Sequence, residues 1–162
     1  MHTPIQRHQA IISFSRDHHF GLLLVWKIRQ GLKNGINAER ISNYILYVFK
    51  ADLEHHFREE EQLLFNKLPA DDALRKRAES DLHILYGHIA AITDVKIDTA
   101  LLSRFADELE KHIRFEERVL FNHLQENIDK DDLEQIAHRI ANNSRAIDEE
   151  WKDMFWVNSP IG

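Results

Sequence analysis

Two stretches of the chain repeat one another. His56-Phe57-Arg58-Glu59-Glu60-Glu61-Gln62-Leu63-Leu64-Phe65-Asn66-Lys67-Leu68 and His112-Ile113-Arg114-Phe115-Glu116-Glu117-Arg118-Val119-Leu120-Phe121-Asn122-His123-Leu124 agree at the His, the Arg, the Glu-Glu, the Leu-Phe-Asn and the final Leu, without a gap. Each sets a His and a Glu four residues apart, so on a helix the imidazole and the carboxylate stand one turn apart on the same face. That face is apolar, because Leu53 and Leu63 flank the first pair and Leu109 and Leu120 the second. A carboxylate and an imidazole among leucines are costly to bury unless something pairs them. A metal ion does so directly. Two such pairs converging in one core, joined by a His from each of two further helices, would offer four imidazoles and two carboxylates.

The elements that must position these pairs are helices. Only 5 Gly and 3 Pro punctuate the chain, and no segment alternates cleanly enough for a strand. A first helix is expected from about Ser15, as N-cap, to Lys33, with Gly35 as its stop and Ile11, Phe14, His18, Leu22, Val25 and Leu32 inward. Ile11 and Phe14 would precede the cap. The second spans roughly Ala38 to Leu68, ended by Pro69, with Ile41, Ile45, Val48, Phe49, Leu53, His56, Glu60, Leu63 and Leu64 inward. A third runs from about Asp71 to Thr93 with Leu74, Leu82, His83, Tyr86 and Ile89 inward. A fourth, capped by Asp98 or Thr99, reaches about Asn127 with Leu102, Phe105, Leu109, His112, Glu116, Val119 and Leu120 inward. A fifth is expected from about Asp131 to Trp156. Short loops between four long amphipathic helices imply an all-α, antiparallel up-down four-helix bundle, residues 15–127, with an additional C-terminal helix, residues 131–156, in one domain over residues 1–162.

The remaining ligands come from the other two helices. His18 lies on the inward stripe of the first, with His19 one residue off it, and His83 is the candidate on the third. Nitrogen and oxygen donors without thiolate suit non-haem iron or manganese; zinc would not need two carboxylates. Ferritin-like di-iron bundles use Glu-x-x-His pairs, and no His here has Glu three residues before it. His19, His55 and His88 read as surface groups or as supports behind ligands, and Tyr44, Tyr47 and Tyr86 as core aromatics able to donate near a metal. Gly21 and Gly87, each about one turn past a candidate His, serve either close helix packing or room for a diatomic ligand.

The pattern of a His, a His-x-x-x-Glu, a His and a second His-x-x-x-Glu on four successive helices resembles the hemerythrin-like (HHE cation-binding) family, over about Arg16 to Leu124. The resemblance implies two iron ions bridged by oxygen, hydroxide or water, with the carboxylates spanning the irons, and nominates His18, His56, Glu60, His83, His112 and Glu116 as ligands. Two departures stand out: Asn66 and Asn122 replace the family's usual Pro after Leu-Phe, and the third helix has no His-x-x-x-His, since His83 and His88 are five apart. A fifth histidine would have to come from His8, His19 or His88. The function implied is binding or reductive handling of dioxygen, peroxide or nitric oxide. The alternatives are an iron-responsive sensor or binding module, with Trp151, Phe155, Trp156 and Val157 as its partner patch, and an iron donor in repair of iron–sulfur centres under nitrosative stress.

Composition bounds these readings. The chain has 162 residues, 43% hydrophobic and 30% charged, enough for one folded domain and too apolar for disorder. With 21 basic and 27 acidic residues its net charge is −6, against the basic face expected of a nucleic-acid binder. No apolar run is long enough for a membrane span and no signal-peptide core is evident, so the expected setting is the cytoplasm without a membrane partner. Cysteine is absent, which removes disulfides, thiolate zinc cages, iron–sulfur ligation and a thiol nucleophile.

Overall fold

The computed structural model describes residues 6–94, 98–140 and 151–157. Among them the protein is all-helical, with five helices and no strand. No helix there is long and apolar enough to cross a membrane.

Helix α1, Gln9–Lys33, begins nearly two turns earlier than its sequence suggests. His8 is the N-cap, its Nδ1 accepting from the Ala10 N–H at 3.1 Å, while Ser15 turns its hydroxyl to Glu117 instead. Ile11 and Phe14 are therefore inside the helix and in the core. The C-terminal end is a Schellman turn: the Ile36 N–H donates to the Gly31 carbonyl at 2.9 Å, and Gly35 takes φ 68°, the left-handed region open to glycine.

Helix α2 covers residues 38–67 and is not uniform. Asn37 caps it by accepting from the Glu39 N–H at 2.8 Å. α-Helical stretches at Ala38–Val48 and Glu54–Glu59 alternate with π-helical turns at Phe49–Leu53 and Glu60–Leu64, and a 3₁₀ turn, Phe65–Lys67, closes it before Pro69. Helix α3 is Ala73–Asp94. Helix α4, residues 99–127, is capped by Asp98 and carries its own π turn at Glu116–Leu120 between Thr99–Phe115 and Phe121–Asn127. A π turn holds one residue more than an α turn, so the inward stripe changes phase there. Val119, expected inward, is 42% exposed as a result.

Helix α5 is Lys130–Ile140, burying Leu133 and Ile136. The expected continuation toward Trp156 passes through residues outside the described set, and residues 151–157 are not helical. Phe155 is buried against Gly31 and Tyr44, and Trp151 and Trp156 lie on Tyr44 and Tyr47 with centroids 4.7–5.5 Å away.

Side chains link the helices in opposite chain order. Asp17 and Lys27 of α1 meet His56 and Tyr44 of α2; His18 and Arg29 meet Glu117 and Asp107 of α4; Asp72 and Asp81 on the α3 side meet His123 and His112 of α4. These contacts bring the two His-Glu repeats face to face in the core.

Candidate metal centre

Five of the six nominated side chains meet at one place. His18, His56, Glu60 and Glu116 are all buried, and each offers a ligand atom within 4.8 Å of the others. His112, 1% exposed, points Nε2 at the same group, 3.4 Å from Glu116 Oε1 and 3.7 Å from Glu60 Oε2. The sixth, His83, does not join them. Helix α3 buries Asp81, Leu82, Leu85 and Ile89, which leaves His83 on the solvent side. None of the proposed fifth histidines is there either. His8 caps α1 and pairs with Glu134, His19 is exposed, and His88 lies beside Phe105.

The imidazoles are fixed from behind. His18 Nδ1 is 2.9 Å from Glu117 Oε2, His56 Nδ1 3.1 Å from Asp17 Oδ2, and His112 Nδ1 3.0 Å from Asp81 Oδ2. A carboxylate on Nδ1 sets the tautomer and leaves the Nε2 lone pair facing forward, the arrangement that supports metal-bound histidine. Glu117 is itself held by Ser15 at 2.7 Å and Arg7 at 3.0 Å. Sequence reasoning passed over Asp17, Asp81 and Glu117. Asp17 and Glu117 each stand directly beside a nominated residue and Asp81 lies two before one, and the doubled Glu-Glu of the repeats was the signal that could have found Glu117.

Inside this ring His18 Nε2 and Glu116 Oε1 meet at 2.9 Å, but the remaining polar atoms do not satisfy one another. Glu60 Oε1 and Oε2, Glu116 Oε2 and His112 Nε2 are buried with no hydrogen-bond partner in the protein, although His56 Nε2 approaches Glu60 Oε1 to 2.6 Å off the hydrogen-bond axis. Four orphaned atoms in one spot are rare in a folded core, where nearly all such groups are paired. The electrostatics agree. Burial opposes charge on His18 and His112, yet the facing glutamates outweigh it and raise them to about 9 and about 10; His56 is raised well above its ordinary value on the same balance. Burial also pushes Glu60 up, but His56 and His112 draw it far below the usual carboxylate range, whereas burial and the charge of Glu60 push Glu116 up. Two carboxylates and three imidazoles thus compete for protons in a space where bound metal would take the protons' place. The residues present fit a metal.

A cavity of about 10 Å³, one water-sized space, is lined by His18, Gly21, His56, His112 and Glu116. A Cβ on Gly21 would meet Ile113 Cδ1 at 2.7 Å, so this glycine lets α4 close on α1 beside the site. Gly87 does neither thing expected of it: nothing lies near its missing Cβ, and it stands away from the cavity. A cleft of about 220 Å³ shares Asp17, Asp52 and His56 with the cavity and is bordered further out by Arg16, His55 and Glu59. The tyrosines are elsewhere: Tyr44 accepts from Lys27 at 2.8 Å under the aromatic tail, and Tyr86 donates to Glu61 at 3.3 Å.

No family model, curated protein or solved structure matches the chain.

Proposed function

We propose that the chain is a hemerythrin-like protein that binds iron between His18, His56, His112, Glu60 and Glu116 and binds or reductively handles a small ligand: dioxygen, peroxide or nitric oxide. The observation that carries this reading is the ring of three carboxylate-backed imidazoles around two buried glutamates, three of whose four oxygens lack hydrogen-bond partners. On this reading α1 to α4 form an antiparallel up-down bundle with α5 beside it, which the opposite chain order of the side-chain contacts supports.

Iron held by such nitrogen and oxygen donors supplies an accessible coordination position and redox change. The chain's own residues do the rest. Glu117, Asp17 and Asp81 hold the three rings in place, the surrounding leucines and phenylalanines keep bulk water out, and the cavity beside Gly21 admits only a molecule of a few atoms. The cleft that shares Asp17 and His56 with the cavity is the route from the surface. The partner-surface alternative draws less support, because Phe155 is buried and Trp151 and Trp156 pack on Tyr44.

Protein made in iron-replete cells is expected to carry between about one and two irons per chain. The reduced form should change its near-ultraviolet absorption on mixing with dioxygen, peroxide or nitric oxide. Recovery on removing the ligand indicates binding, and its consumption with added reductant indicates turnover. Less than about half an iron per chain with no other metal, or iron without any optical response or ligand consumption, overturns the proposal.

A further inference from the structure

The two halves of the centre are built on one plan, and the plan is broken at a single position. Asp81 of α3 stands to His112 of α4 as Asp17 of α1 stands to His56 of α2: each aspartate accepts from Nδ1 of the imidazole that opens a repeat. Glu60 and Glu116 exchange places under the same correspondence. The residue after Asp17 is His18, whose Nδ1 meets Glu117, the second glutamate of the α4 repeat. The residue after Asp81 is Leu82, and the matching second glutamate of the α2 repeat is Glu61. Leu82 is 1% exposed, and Glu61 accepts instead from the Tyr86 hydroxyl.

The group His18, His56, Glu60 and Glu116 has all its ligand atoms within 4.8 Å. By the same correspondence its counterpart is Leu82, His112, Glu116 and Glu60, with an isobutyl group at the position that matches His18. We infer that the centre has one complete metal position, held by two imidazoles and two glutamates, and one incomplete position, held by His112 and the same glutamates, with Leu82 filling the place of the absent nitrogen ligand. This rests on the metal reading above and extends it: two ions are held unequally, and the weaker ion faces α3.

The test is anaerobic titration of the metal-stripped full chain with ferrous iron, followed by calorimetry. Two steps are expected, the second at least about tenfold weaker than the first, because loss of one ligand costs at least what loss of an outer support costs. Leu82→His, with Glu61 at the position that matches Glu117, should tighten the second step by at least about tenfold, and adding Glu61→Gln to it should give back part of that gain. Circular dichroism and elution volume establish that the variants fold. Should Leu82→His fail to fold, Leu82→Ala with exogenous imidazole asks the same question, and imidazole should tighten the second step alone. Two equal steps in the unmodified chain, or a folded Leu82→His with an unchanged second step, overturns the inequality while leaving the metal centre standing. No binding at all overturns both.

Discussion

Asp17, Asp81 and Glu117 touch none of the proposed metal positions with their own oxygens, yet they decide which way three imidazoles face. Asp81→Asn keeps the shape and weakens the hold on His112 Nδ1; metal affinity should fall by about 10- to 100-fold with the helix content intact. His83→Ala should change neither, since that ring is exposed; equal loss in both variants by elemental analysis would contradict the assignment. The pairs His56–Glu60 and His112–Glu116 were legible in the sequence because a His and a Glu one turn apart inside an apolar stripe are costly to bury without a shared partner. His83 misled because a lone His on a helix is placed only by the phase of its neighbours. Asp81 and Leu82 lie on the inward face, and one more residue, roughly 100° further round, carries the ring to solvent.

Elements were legible wherever caps and periods agreed. Asn37 and Asp98 start their helices as their residue type suggests, and Gly35 stops α1. The π turns were not legible, since a 3.6-residue period carries no sign of one inserted residue. A cap that sequence left unassigned is Asp72, just before α3, whose Oδ1 accepts from the Arg75 N–H at 2.9 Å while Oδ2 accepts from His123 at 2.7 Å. Slight burial raises its pKa, but the Arg75 N–H and His123 outweigh that and lower it. A depressed carboxylate stabilises the fold above its unfolded pKa, and the contribution is lost as pH falls through the folded value. Asp72→Ala should therefore cost about 1 kcal/mol near neutral pH, with the gap to the parent closing in acid below about pH 4. A gap that persists unchanged at pH 3 in denaturant titrations would show that charge plays no part.

At the scale of the whole molecule, residues 151–157 fasten α1 to α2 rather than extending α5. Two contacts compete for that role. Arg40 and Asp153 form a two-pronged ion pair at 2.6 and 3.0 Å, but both are more than 40% exposed, so solvent screening leaves the pair little net value. Phe155 is 2% exposed, with ring carbons 2.8–3.0 Å from where a Cβ on Gly31 would stand. Phe155→Ala should cost about 3–5 kcal/mol and lower Tm by roughly 6–20 °C, against a few degrees for Arg40→Ala. Gly31→Ala should fall between them, at about 1–3 kcal/mol, as overpacking. A reversed order of these Tm values would mean that charge holds the tail. The sequence read these aromatics as the end of a fifth helix and, alternatively, as a surface for another molecule; that they cover the chain's own Tyr44 depends on a long-range return that local periodicity does not encode.

The π turn at Glu116–Leu120 also sets how this helix tolerates changes of length. In an ordinary helix a one-residue deletion rotates everything beyond it by roughly 100° and turns a buried stripe outward. Here the turn already contains one residue in surplus, and Val119 is an exposed member of it. Deleting Val119 should convert the π turn to an α turn, keep Leu120, Phe121 and Leu124 inward, and leave far-ultraviolet dichroism and cooperative melting nearly unchanged, while moving Glu116 enough to weaken metal binding. Deleting Lys111, also exposed but within α-helical backbone, should abolish cooperative folding. If both deletions unfold the chain alike, the surplus residue gives the helix no such latitude.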